Sequence, residues 1–199
     1  LGALTLGNAN TAAGSITVGA AGALVATLVD ATGGLVDLDA AGLLTATSVT
    51  TNTSGIIDLD TSSGGIIATS VGSADTASIT AAAGDITLGS VTAVNAVDIT
   101  ATAGSINDAT TDATADVSGS AITLLAATGI GSGEALEFAD SASVNASVTG
   151  TGNINLQGLG ALTLGNANTA AGSITVGAAG ALVATLVDAT GGLVDLDAA

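Results

Sequence analysis

The sequence contains no cysteine, proline, lysine, arginine, histidine, methionine, tryptophan or tyrosine, and a single aromatic residue, Phe138. Each absence excludes something. Without cysteine there are no disulfides and no thiolate metal sites. Without histidine, lysine, cysteine or tyrosine, only carboxylates remain for acid–base work. Paired carboxylates do hydrolyse glycosides, but every acid except Asp108 is expected on a turn or an outward strand position, away from the apolar surroundings that raise a carboxyl pKa. No enzyme activity is expected. With no positive side chain, nothing can neutralise phosphates, so nucleic acid is excluded as a partner and anionic lipid is disfavoured. No apolar run approaches the roughly 18 residues of a membrane helix, so no membrane insertion is expected in this segment. A protease of trypsin-like specificity finds no residue to cut after, which suits a protein outside the cell.

What remains is mostly Ala, Gly, Val, Ile, Leu, Thr, Ser, Asn and Asp, with a net charge of −17 over 199 residues and a mean hydropathy of +0.73. That alphabet suits thin β-strands joined by tight turns. Residues Leu1–Ala41 recur without a change as Leu159–Ala199, an offset of 158. Residues 1–158 therefore read as one complete unit, and 159–199 as the start of the next in a tandem array. Within the unit runs a shorter period of about 20 residues, the signature of a solenoid.

The short period is carried by glycines. Gly2, Gly22, Gly42, Gly64, Gly84 and Gly104 are spaced 20, 20, 22, 20 and 20 residues apart, each opening a strand. Aligned on them, Leu4, Leu24, Leu44, Ile66, Ile86 and Ile106 form an apolar column, with Leu6, Ala26, Ala46, Ala68 and Leu88 two residues on. That spacing of two places both columns on the same face of a strand. Val29, Val49, Val71 and Val91 make a third column. A second strand in each rung carries the inward pairs Ile16/Val18, Val36/Leu38, Ile57/Leu59, Ala77/Ile79, Val97/Ile99, Ile122/Leu124 and Ile154/Leu156. The expected fold is an all-β parallel β-helix of about 20 residues per rung, with about seven rungs in each 158-residue unit. Seven rungs at about 4.8 Å each span roughly 34 Å.

Residues 107–152 break the pattern. Asp108 falls in an apolar column, Asp112 and Asp116 follow, and the stretch holds the only glutamates, Glu134 and Glu137, beside Phe138. Two readings stand: a wider rung with Phe138 filling its core, or a recognition loop with Glu134, Glu137 and Phe138 as binding residues.

The phrases Gly84-Asp-Ile-Thr-Leu-Gly-Ser-Val91, Gly104-Ser-Ile-Asn-Asp-Ala109 and Ala126-Ala-Thr-Gly-Ile-Gly131 resemble the repeat regions of filamentous-haemagglutinin-like large exoproteins and adhesins of bacteria. The resemblance covers nearly the whole chain. It implies a right-handed parallel β-helix, secretion to the cell surface, and a role as fibre, stalk or adhesin.

One acidic cluster stands out as a candidate cation site. Asp37 and Asp39 flank Leu38, and Asp58 and Asp60 flank Leu59 one rung later. All four carboxylates are expected to point outward, stacked about 4.8 Å apart, where Ca²⁺–oxygen bonds of about 2.3–2.6 Å would let one ion bridge stacked pairs. Outward threonines also stack: Thr27, Thr47 and Thr69, beside Thr5, Thr45 and Thr87. Such a face resembles that of ice-binding proteins. It also suits rods packed side by side, and its β-branched residues are simply good strand formers.

The function expected is a structural extracellular or cell-surface fibre whose partners are further copies of the same repeat along the chain and, laterally, other rods. The alternative is an adhesin that uses 107–152 against a cell-surface or glycan receptor.

Overall fold

A computed structural model describes residues 2–199, and among them there are strands and turns but no helix. The regular part runs β1 (Leu4–Thr11), β2 (Ile16–Ala20), β3 (Leu24–Thr32), β4 (Val36–Ala40), β5 (Leu44–Asn52), β6 (Ile57–Thr61), β7 (Ile66–Ser73), β8 (Ala77–Ala81), β9 (Ile86–Ala93) and β10 (Ala96–Ala101). Odd-numbered strands build one parallel sheet and even-numbered strands a second, each strand pairing with those about 20 residues before and after it. This is a parallel β-solenoid.

The registers reproduce the expected columns. Leu4, Leu24, Leu44, Ile66, Ile86 and Ile106 are successive partners in the first sheet, and from Leu24 onward all are fully buried. In the second sheet Ile16, Val36, Ile57, Ala77, Val97 and Ile122 stack likewise. Burying each Leu, Ile or Val contributes about 1.5–3 kcal/mol. The long strands bend where two neighbouring residues both face outward, as Thr27 and Leu28 do between inward Ala26 and Val29. The bend lets one strand serve two sides of the core.

Corners are held from inside by hydroxyls. Thr51 Oγ1 donates to the Gly55 carbonyl at 2.8 Å and Thr61 Oγ1 to that of Gly64 at 2.7 Å. These bonds satisfy carbonyls that the turn removes from the ladder. Close stacking also dictates glycine here: a Cβ on Gly104 would run into the carbonyl of Gly84 in the previous coil.

The irregular region comprises β11 (Ser105–Asp108), β12 (Val117–Ser118), β13 (Ala121–Ala126), β14 (Gly129–Ile130), β15 (Leu136–Phe138) and β16 (Ala142–Val148). β11 and β12 both pair with β9, so they are one strand of the first sheet interrupted by a loop at 109–115. β14 and β15 are likewise one interrupted strand, with a loop at 131–135. Phe138, fully buried, pairs with Val117 and fills the core at this level.

The second copy follows as β17 (Ile154–Gly158), β18 (Leu162–Thr169), β19 (Ile174–Ala178), β20 (Leu182–Ala189) and β21 (Val194–Ala198), β17 closing the first unit. Here the structure departs from the spacing. β18 repeats the residues of β1, yet β1 lies in the first sheet and β18 in the second; β2 and β19, also identical, have exchanged sheets the other way. The unit therefore spans seven and a half coils, where spacing alone counts about seven. Correspondingly, Ile154 and Leu156 do not continue the column of Ile122 and Leu124. Ile122 stacks on Val144 of β16, whereas Ile154 stacks on Ile130 and Ile174 in the first sheet. The reason is length. Across 105–169 the strands of the first sheet shorten to the five residues of β17 while those of the second lengthen from six in β13 to seven in β16 and eight in β18, and the two sheets exchange roles.

Candidate metal centre

The aspartates of β4 and β6 stand in register, Asp37 opposite Asp58 and Asp39 opposite Asp60. They are half-buried or exposed, and hydroxyl residues adjoin them along the ladder, Thr17 before Asp37, Ser78 after Asp58 and Thr80 after Asp60. Burial, then the neighbouring charges of Asp39 and Asp58, raises the Asp37 carboxyl above its ordinary value. Asp60 is raised by burial and then by Asp58, against a lowering hydrogen bond from Thr80. The expected stacking is present, but no three of these carboxylates bring oxygens as near one another as the group described next.

That group is Asp108, Asp116 and Glu137. Each offers a carboxylate oxygen within 4.8 Å of those of the other two, the one such trio among the described residues. The backbone sets the geometry. β11 ends at Asp108, whose position opposite Leu88 is an inward one. The loop 109–115 then leaves the ladder and returns at Asp116, whose N–H donates to the Glu137 carbonyl at 3.0 Å and whose carbonyl accepts from Val91 N–H at 2.7 Å. Glu137 N–H donates in turn to Asp116 Oδ2 at 2.8 Å. Loop closure has a local cause: Asp108 Oδ1 accepts from Thr110 N–H at 2.8 Å, and Asp112 Oδ1 from Thr114 N–H at 2.7 Å. These are two Asx turns in succession.

Asp116 is 1% exposed. Its burial, with Glu137 and Asp108 beside it, pushes its carboxyl up to about 8. Glu137 is also raised, by burial first and then by the charges of Asp108 and Asp112. One oxygen of each residue, Asp108 Oδ2, Asp116 Oδ1 and Glu137 Oε2, is buried without a hydrogen-bond partner. Other aspartates are satisfied by neighbouring coils. Asp30 accepts from Asn10, Thr50 and Asn52 at 3.2, 3.1 and 2.9 Å, and Asp85 from the N–H and hydroxyl of Ser105, both at 2.8 Å.

Asp116 contradicts the expectation that Asp108 alone among the acids would leave the outward positions. A loop between two halves of one strand cannot be read from a 20-residue period, so its return point was invisible. The signal that was present is the doubled Asp-Ala-Thr at 108–110 and 112–114. Of the residues proposed for recognition, Glu134 is exposed on the loop 131–135, Glu137 is half-buried in the carboxylate group, and Phe138 is in the core. The buried ring has no surface to offer a receptor, which removes it from that role. Beside the loop lies an open groove of about 470 Å³ lined by Thr128, Ser132, Asn153, Asn155 and Thr175.

No protein-family model matches the chain, no curated protein matches its sequence, and no solved structure matches its fold.

Proposed function

We propose that the protein is a structural fibre element, secreted and displayed outside the cell, which lengthens by adding solenoid units end to end. The observation that carries this reading is the junction between units. β18 stacks on β16 and β19 on β17, so the second copy continues both ladders of the first, with a single bulge at Gly165 where β18 pairs with β16. Stacking of coil on coil is what buries the core: Val36 and Leu38, covered by β6, are at 0% exposure, and each added coil gains its stability from its neighbours. Lateral association would use the outward Thr-rich face, where Leu28 and Ile67 are also exposed.

The test is length. Chains of one, two and four units, imaged by cryo-electron microscopy, are expected to be rods that lengthen by about 36 Å per unit at about 4.8 Å per coil. Beads on a string, or no lengthening, would overturn the proposal. A second reading, attachment to a glycan, is favoured by the groove lined by Thr128, Ser132, Asn153, Asn155 and Thr175, whose hydroxyls and amides match sugar hydroxyls. Binding of the chain to a glycan array, abolished by Asn155→Leu, would support it.

A further inference from the structure

Three carboxyl groups held together in a chain without one basic residue can be neutralised only by protons or by a bound cation. Hydrogen bonding does not suffice, since one oxygen of each remains unpartnered. Nor does solvent, because Asp116 is 99% buried, its unpartnered Oδ1 belonging to the same trio. We propose that Asp108, Asp116 and Glu137 together bind one Ca²⁺ ion. The donor set is entirely carboxylate oxygen, the preference of a hard cation, and it contains neither imidazole nor thiolate to favour zinc or copper. Oxygens that all lie within 4.8 Å of one another have a common centre at most about 2.8 Å from each, so a side-chain adjustment of a few tenths of an ångström brings all three to the Ca²⁺–O distance of about 2.3–2.6 Å. Mg²⁺, which demands bonds of about 2.0–2.1 Å and octahedral order, fits so wide a set less well. Water would complete the coordination.

The position gives the ion a task. Asp108 closes β11 and Asp116 precedes β12, the two halves of one interrupted strand, while Glu137 belongs to β15 in the next coil. An ion among them ties the loop 109–115 at both ends and clamps that coil to its neighbour. This is the level at which the two sheets exchange long and short strands. Calcium here would fix the exchange of sheets, independently of whether the unit serves a fibre or an adhesin.

The test is calorimetric titration of CaCl₂ into the 199-residue chain at pH 7.5 in 0.15 M KCl, with MgCl₂ as comparison. One Ca²⁺ per chain is expected, bound at least tenfold more tightly than Mg²⁺. Asp116→Asn and Glu137→Gln should each weaken it tenfold or more, while Asp58→Asn, in the other acidic ladder, leaves it within twofold. Hydrogen exchange should slow on adding Ca²⁺ at 109–118 and 136–138. If Asp116→Asn does not fold, Glu137→Gln and the exchange pattern decide. No saturable uptake, or uptake that both variants retain, would overturn the proposal and leave a cluster neutralised by shared protons.

Discussion

Asp116 and Glu137 face each other across adjacent coils through two hydrogen bonds, Asp116 N–H to the Glu137 carbonyl at 3.0 Å and Glu137 N–H to Asp116 Oδ2 at 2.8 Å. The ladder holds the two backbones one coil apart and the Glu137 N–H holds one Asp116 carboxylate oxygen, which keeps the two carboxyl groups close to each other. Their cost must appear in the pH dependence of stability.

In the absence of divalent cations, the rod is expected to be more stable at pH 5 than at pH 9. The folded-state pKa of Asp116, about 8, lies above its unfolded value of 3.8. Between these values the folded chain binds more protons than the unfolded one, so stability falls as pH rises. The slope is at most about 1.4 kcal/mol per pH unit for one group. Glu137 is raised in the same direction. Denaturant melts from pH 4 to pH 9 in EDTA test this, and Asp116→Asn should flatten the curve; a stability that rises steadily through pH 5–9 would contradict it.

At Asp37 and Asp58 the repulsion is nearer the surface. Asp58→Asn should stabilise the chain by about 0.2–1 kcal/mol at low salt, the range for a like-charged cross-strand pair relieved of its charge. Most of the gain should vanish in 1 M salt, where the screening length is about 3 Å. Paired melts at the two ionic strengths give the answer.

The closeness of successive coils is testable at glycine. Gly104→Ala places a methyl against the Gly84 carbonyl and is expected to cost roughly 2–3 kcal/mol, within the upper range for a steric defect in a packed position. Gly133→Ala, where a Cβ would meet nothing within 4 Å, should be nearly neutral. Thermal melts of the two variants, with circular dichroism near 218 nm, separate a steric effect from a general intolerance of substitution.

Truncating Phe138 to Ala should cost about 3–5 kcal/mol, as emptying a core aromatic site does. In a solenoid that loss stays near its neighbours. Hydrogen exchange should therefore quicken in 105–158, where Phe138 pairs with β12 and β17, and little in 24–61. Uniform acceleration along the chain would mean a cooperative block instead.

The columns of Leu, Ile and Val were legible because a solenoid writes its stacking directly into sequence period. Leu24, Leu44, Ile66 and Ile86 are partners where the glycine spacing places them. The acidic ladder at Asp37 and Asp58 was legible for the same reason. The exchange of sheets was not, since Ile154 and Ile57 look alike in pattern, and a pattern does not say which of two similar sheets a strand joins. The carboxylate trio escaped because Asp108 and Asp116 are brought together by a loop whose residues belong to no period. Glu137 drew attention only as a rare residue, when its importance lies in pairing with Asp116.

The half coil within each unit governs how a longer array would look from its sides. A chain that repeated the unit would present each loop 131–135 first on one flank and then on the other, restoring its orientation only after two units, or 15 coils. At about 4.8 Å per coil that is a true period of about 72 Å, twice the chemical one. Such a filament has two equivalent flanks, as a zip fastener's tape would with teeth alternately left and right. It could bind neighbours, or a surface, on both sides at once using the same contact sequence repeated in successive units.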